Sequence, residues 1–181
     1  IVGHFSTFDA EAADEIRTAV RAIQKRSEGL LHFTETYRQL TRIPQPKFQD
    51  VDPAVLLDGV LTLFKPAFSE KNIRLEREFT TAKLSIQVDP ELLEQVLINL
   101  VKNAVEAVEA VDDPLVTLGL ARDSEGVVLI QVVDNGPGIP ETLQEQIFMP
   151  FFTTKKEGTG IGLSLCRQIV QLHKGSLSVV S

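Results

Sequence analysis

This 181-residue chain has little cysteine, no net positive charge and no long apolar run. Its single cysteine, Cys166, cannot close an internal disulfide, which fits a reducing, cytoplasmic compartment. Cys166 lies in an apolar helical run and reads as a packed core thiol. Lysine and arginine number 18 against 25 acidic residues, a formal charge of −7, and no local basic stripe offsets it. That balance excludes nucleic-acid binding as the main function. No apolar stretch is long enough to span a bilayer, and the first residues lack a secretory leader pattern. The chain reads as soluble, and any membrane attachment would come through parts of a parent protein outside it. With 43% hydrophobic and 24% charged residues, it suits one or two domains with a real core.

Proline is missing before Pro44, and residues 9–42 show no strand pattern. Ile16, Val20, Ile23, Ser27, Leu30, Thr34, Tyr37 and Thr41 step by alternating fours and threes, the narrow seam of a coiled coil or bundle. One long helix is predicted, and its stripe calls for partner helices, most simply from a homodimer. The alternative is a helix folded back on the rest of the chain. Pro44 and Pro46 end it, so 44–51 reads as a linker between a domain at 1–43 and another at 52–181. Asp52-Pro53 and Asp89-Pro90 are N-caps followed by proline at the first helical position, and they open helices to about 70 and 111. Strands are expected around Ile73–Phe79 and Leu84–Val88, over 115–121 and 127–133, and at 177–180. A short helix over 140–147, a loop to 158 and a helix over 160–173 complete the order. Helices and strands in this mixture predict an α+β fold, a mixed sheet covered on one face by helices.

Four motifs fall between Glu94 and Leu163. Asn99 and Asn103 stand four apart and share a helix face, where an amide oxygen can act as a hard, neutral ligand for Mg²⁺. Two solvated amides would give the same spacing. Asp134-Asn135-Gly136-Pro137-Gly138 follows an apolar strand that can deliver the carboxylate into a crevice to accept from an exocyclic amine such as adenine's. An ordinary Asx turn has the same composition. Phe148, Phe151 and Phe152 precede Thr153-Thr154-Lys155-Lys156 in a loop, as a cover would. Gly158, Gly160 and Gly162 open a helix and leave its N–H groups clear for phosphate. They form neither a Walker A loop nor a Rossmann fingerprint.

In this order the motifs resemble the N, G1, F and G2 boxes of the catalytic ATP-binding domain of bacterial sensor histidine kinases. That domain belongs to the GHKL group, which also holds gyrase B and MutL. The resemblance runs from about Asp52 to Ser181 and includes His173-Lys174-Gly175 after the last helix. The 9–42 helix looks like the second helix of the dimerisation and phosphotransfer hairpin, and the Phe-Phe-Thr-Thr-Lys segment looks like the nitrogen-regulation branch. The resemblance implies a two-layer α/β sandwich of the Bergerat type that binds ATP and Mg²⁺, with Asn103 ligating the metal and Asn99 assisting. It implies that Asp134 reads adenine while Gly136, Gly138 and Ile139 frame the base. Phe148, Phe152, Thr154 and Lys155 would belong to the lid, with Lys155 or Lys156 near the γ-phosphate. Gly158, Thr159, Gly160, Ile161, Gly162 and Leu163 would cradle phosphates. The phosphoryl group would go to a histidine nitrogen and then to the receiver domain of a response regulator, the kinase acting as a homodimer.

Three departures qualify this. The acceptor pattern, His followed by an acidic residue and a later proline, is absent: His4, His32 and His173 all read as structural. Glu106 stands where many relatives carry a basic residue, so a phosphate contact from that position is not expected. The sequence also stops at Ser181, ahead of the closing strand usual in relatives, so an exposed sheet edge is expected. Among rival functions, a GHKL ATPase would place a Glu general base where Asn99 stands, and an amide has no useful basicity. A module that only binds nucleotide or only dimerises is the other alternative.

Overall fold

In the computed structural model the described residues are 10–79, 84–155 and 158–181, less the side chains of 10–13, 32, 33, 35, 36 and 39–41. His4, Lys156 and the side chain of His32 lie outside them. The chain divides into two compact units between Arg42 and Ile43.

The first unit is the helix α1, Ala10–Thr41, as its unbroken threes and fours predict. Along it Ile16, Val20, Ile23 and Leu30 are all more than half exposed. No helix among the described residues is long and apolar enough to cross a membrane.

The second unit opens with a departure from expectation. Gln49–Val51, inside the segment read as a linker, is a strand, β1, paired antiparallel with β3, Ile86–Val88. Polar Gln49 and Asp50 give no local strand pattern, so this pairing depends on a partner 35–39 residues away in sequence. Between them lie α2, Pro53–Glu70, and β2, Arg74–Phe79. The helix α3, Pro90–Ala107, ends sooner than predicted, because the Glu109 and Val111 N–H groups bond only three residues back, to the Glu106 and Val108 carbonyls. β4, Leu115–Arg122, and β5, Val128–Asp134, follow.

β4 is central, parallel to β2 and antiparallel to β5, so the sheet is mixed. Leu57 and Val60 of α2 and Leu97 and Val101 of α3 bury completely or nearly so against Val116, Leu118 and Leu120 of β4. Val128, Ile130 and Val132 of β5 turn toward that core while Leu129 and Val133 face outward. One face is covered by helices and the other is open, which makes the expected α+β two-layer sandwich.

The chain continues through α4, Glu141–Gln144, a 3-10 turn at Gln146–Phe148, and α5, Gly162–Leu172. α5 buries Leu165, Cys166 and Ile169, and the Cys166 thiol donates weakly to the Val96 carbonyl of α3 at 3.8 Å. Burial pushes this thiol up to about 12, so it stays protonated and inert, as a core position requires. The strand expected over 177–180 does not form: among the described residues no ladder pairs it, and the Ser181 hydroxyl accepts from the Ile139 N–H.

One knot ties α3 to α5. Asp89 caps α3 by accepting from the Glu91 and Leu92 N–H groups at 3.0 and 3.1 Å, and its other oxygen accepts from the Lys47 N–H at 2.8 Å. The Asp89 N–H donates to His173 Nε2 at 2.9 Å, while His173 Nδ1 lies 2.7 Å from the Ile169 carbonyl and donates to it. The imidazole is therefore the neutral Nδ1–H tautomer with both nitrogens engaged, a structural histidine. The Lys47 N–H, above all, holds the Asp89 carboxyl below its ordinary value of 3.8 despite burial. Asp89→Ala is expected to cost about 1–2 kcal/mol at neutral pH, in the range of a lost N-cap. A depressed folded value means that the stabilisation is complete above 3.8 and fades as pH falls through the folded value. Urea unfolding at pH 7 and pH 3 checks this: the gap between variant and wild type should be narrower at the lower pH.

Candidate nucleotide site

The site is built where α3, the end of β5 and the start of α5 meet. Helical spacing puts Asn99 and Asn103 on one face of α3, both half-buried. Asn99 Nδ2 donates to the Gln95 carbonyl at 3.1 Å, which orients Oδ1 away from its own helix. That oxygen meets Gly162, the first residue of α5: a Cβ built there would lie 3.0 Å from it. The side chain of a larger residue would press on the amide.

One turn along, Asn103 Oδ1 accepts from Lys155 Nζ at 3.1 Å, and the same ammonium pairs with Glu106. The Asn103 oxygen thus already faces a cation, as a metal ligand must. Among the described residues no cluster of three or more His, Cys, Asp or Glu forms a metal cage. A hard divalent ion here would complete its shell with phosphate oxygens and water, which suits Mg²⁺ and two neutral amides.

Asp134 ends β5 opposite Val116. Its Oδ1 accepts from the Gly136 N–H at 3.0 Å, so the Asx turn is real, and the side chain is exposed. Asn135 pins the turn: its Oδ1 accepts from the Leu115 N–H and its Nδ2 donates to the Asp113 carbonyl, both at 2.8 Å. Gly136 packs on the last turn of α3, where a Cβ would sit 2.9 Å from the Ala107 carbonyl oxygen. Glycine is therefore needed for the turn to touch the helix that carries the asparagines.

Phe148 packs under the Arg167 guanidinium of α5, 5.1 Å from its ring centroid. Phe152 is half-buried, whereas Phe151 is exposed and adopts φ 67, costly for a side chain of that size. Gly160, at φ +69, fits against that corner: a Cβ would fall 2.5 Å from the Phe151 carbonyl carbon. The Lys155 N–H donates to Thr153 Oγ1 at 3.1 Å. α5 then begins with Ile161 in the cap position and no side-chain cap, so its first N–H groups stay available for an anion.

Contacts join Asn99 to Gly162 and Asn103 to Lys155, while Gly136 meets both Asp134 and Ala107 of α3, and Gly160 meets Phe151 and Phe152. Gly138 and Ile139 instead meet Ser181, while Thr154 and Thr159 are exposed. Ile161 is buried and Leu163 half-buried, so both side chains serve packing. Sequence reasoning gave no role to Asn135, whose bonds run to residues 20 and 22 positions away. It also gave none to Glu106, whose partner Lys155 is 49 positions away.

Residues 88–181 match the family model described as histidine kinase-, DNA gyrase B-, and HSP90-like ATPase. The C4-dicarboxylate transport sensor protein DctS of Rhodobacter capsulatus is 39% identical over 137 residues, 74% of this chain and 20% of DctS. The signal transduction histidine-protein kinase AtoS of Escherichia coli is 31% identical over 182 residues, all of this chain and 30% of AtoS. The chain thus spans a fifth to a third of the length of these curated relatives. Among solved structures, the histidine kinase ThkA in complex with the response regulator protein TrrA superposes with a TM-score of 0.64 at 28% identity, covering 96% of this chain and 47% of ThkA.

Proposed function

From the premise that this chain belongs to the histidine kinase-, DNA gyrase B-, and HSP90-like ATPase family, we propose that it carries the catalytic domain of a sensor histidine kinase and binds Mg-ATP between α3 and α5. The γ-phosphoryl group then passes to a histidine nitrogen on a phosphotransfer hairpin, and from there to an aspartate of a response-regulator receiver domain. The observation that carries the reading is the pair of amide oxygens on one face of α3, Asn103 Oδ1 engaged by the Lys155 ammonium and Asn99 Oδ1 facing Gly162 at the uncapped start of α5.

Asn103, assisted by Asn99, would hold the metal, which supplies neutralisation of phosphate charge when bound. Backbone N–H groups at the start of α5 receive phosphate oxygens, and Asp134 Oδ2 accepts from the adenine amine. Positioning and electrostatics are most of what phosphoryl transfer needs. Asn99 also argues against hydrolysis: its amide oxygen lacks basicity and its nitrogen is spent on Gln95, so water is not activated there. The exposed apolar stripe of α1 supports dimerisation through that helix, as the second helix of the hairpin. A response-regulator partner is supported by the ThkA complex.

The purified chain, given γ-³²P-ATP, is expected to leave itself unlabelled and to place acid-labile, base-stable label on a supplied hairpin bearing an acceptor histidine. No label on the hairpin, or label on His4 or His32 of this chain, would overturn the assignment.

A further inference from the structure

Glu106 sits on α3 one turn after Asn103, between two ammonium groups. Lys102 Nζ of its own helix is 3.9 Å from one carboxylate oxygen, and Lys155 of the lid segment pairs with the other. Lys155 also donates to Asn103 Oδ1 at 3.1 Å, and its charge is felt by Glu109, whose carboxyl is held low chiefly by Lys71 and further by Lys155. We propose that Glu106 sets the metal requirement for nucleotide binding by holding the Lys155 ammonium on Asn103 Oδ1, where it competes with the metal ion. This rests on the Mg-ATP reading of the site.

A metal ion ligated by Asn103 Oδ1 cannot approach while an ammonium lies 3.1 Å from that oxygen, because two cations would then stand within a few ångströms of each other. Loading therefore requires Lys155 to leave Asn103, and the triphosphate offers it a stronger partner than a single carboxylate. Glu106 opposes the exchange, since its pairing with Lys155 must break first. Side chains in this pair are 31% and 45% exposed, so the latch is a weak one that nucleotide can open and salt can screen. The acidic residue three positions after Asn103 is thereby an affinity-setting residue acting through the lid lysine.

Isothermal titration of ATP at a series of Mg²⁺ concentrations tests this in wild type, Glu106→Gln, Lys155→Met and the double variant. Glu106→Gln is expected to lower the Mg²⁺ needed for half-maximal ATP binding about two- to fivefold at low salt, with the gain shrinking in 0.5 M NaCl. In the Lys155→Met background Glu106→Gln should change the Mg²⁺ midpoint by less than about 1.5-fold, because the carboxylate acts through that lysine. An equal gain in both backgrounds would mean simple charge repulsion and overturn the proposal, as would an unchanged midpoint in Glu106→Gln. Hydrogen exchange without nucleotide gives a second readout: amides of Thr153–Lys155 should exchange faster in Glu106→Gln, and equal rates would overturn the latch. Wild type that fails to bind ATP at any Mg²⁺ concentration would instead bring down the nucleotide reading beneath it.

Discussion

Asp134→Ala is expected to weaken ATP binding ten- to a hundredfold and to abolish the preference for adenine. One carboxylate oxygen is occupied by the Gly136 N–H, and in the proposed site the other would accept from the base. A hydrogen bond from a neutral donor to a charged acceptor contributes about 1.5–3 kcal/mol, which is the affinity range stated. Inosine triphosphate separates this from a general loss of fold, because it carries a carbonyl where adenine carries its amine. Wild type should reject it, since two acceptors would face each other; the alanine variant should bind ATP and inosine triphosphate alike. Retained discrimination in Asp134→Ala, measured by isothermal titration, would remove Asp134 from the base-reading role.

Gly160→Ala is expected to lower stability by about 1–2 kcal/mol, the cost of left-handed backbone for an L-residue, and to reduce ATP affinity more than tenfold. At φ +69 the new methyl would lie 2.5 Å from the Phe151 carbonyl carbon and 2.8 Å from its oxygen and the Phe152 nitrogen. All three are backbone atoms and cannot rotate aside, so the corner at Phe151 must separate from the start of α5. Phosphate binding needs that helix start undisturbed, and so affinity should fall further than stability. Urea unfolding with titration of Mg-ATP measures both, and near-wild-type affinity would show that the two segments need not touch.

What the sequence discloses about this fold is what neighbouring residues decide. Asp52-Pro53 and Asp89-Pro90 mark their helices because a cap and its first turn lie within three residues. The alternation in β4 and β5 is legible for the same reason, as is the buried thiol of Cys166. β1 is not legible: Gln49 and Asp50 are polar, and their extended form comes from pairing with Val88 and Gln87. Leu177–Val180 errs the other way, alternating like a strand but lacking a ladder, which no local pattern can supply. In the site, the glycines and asparagines stand out by type and spacing. The pairing of Lys155 with Glu106 and the pinning of Asn135 arise only once distant segments are brought together.

The bond from the Lys47 N–H to Asp89 gives the segment after Pro44 and Pro46 a mechanical role. That carboxylate is also the cap that starts α3, and the same residue's N–H reaches the histidine closing α5. The segment that holds the two prolines is thereby anchored to the first turn of α3 and to the last turn of α5 at once.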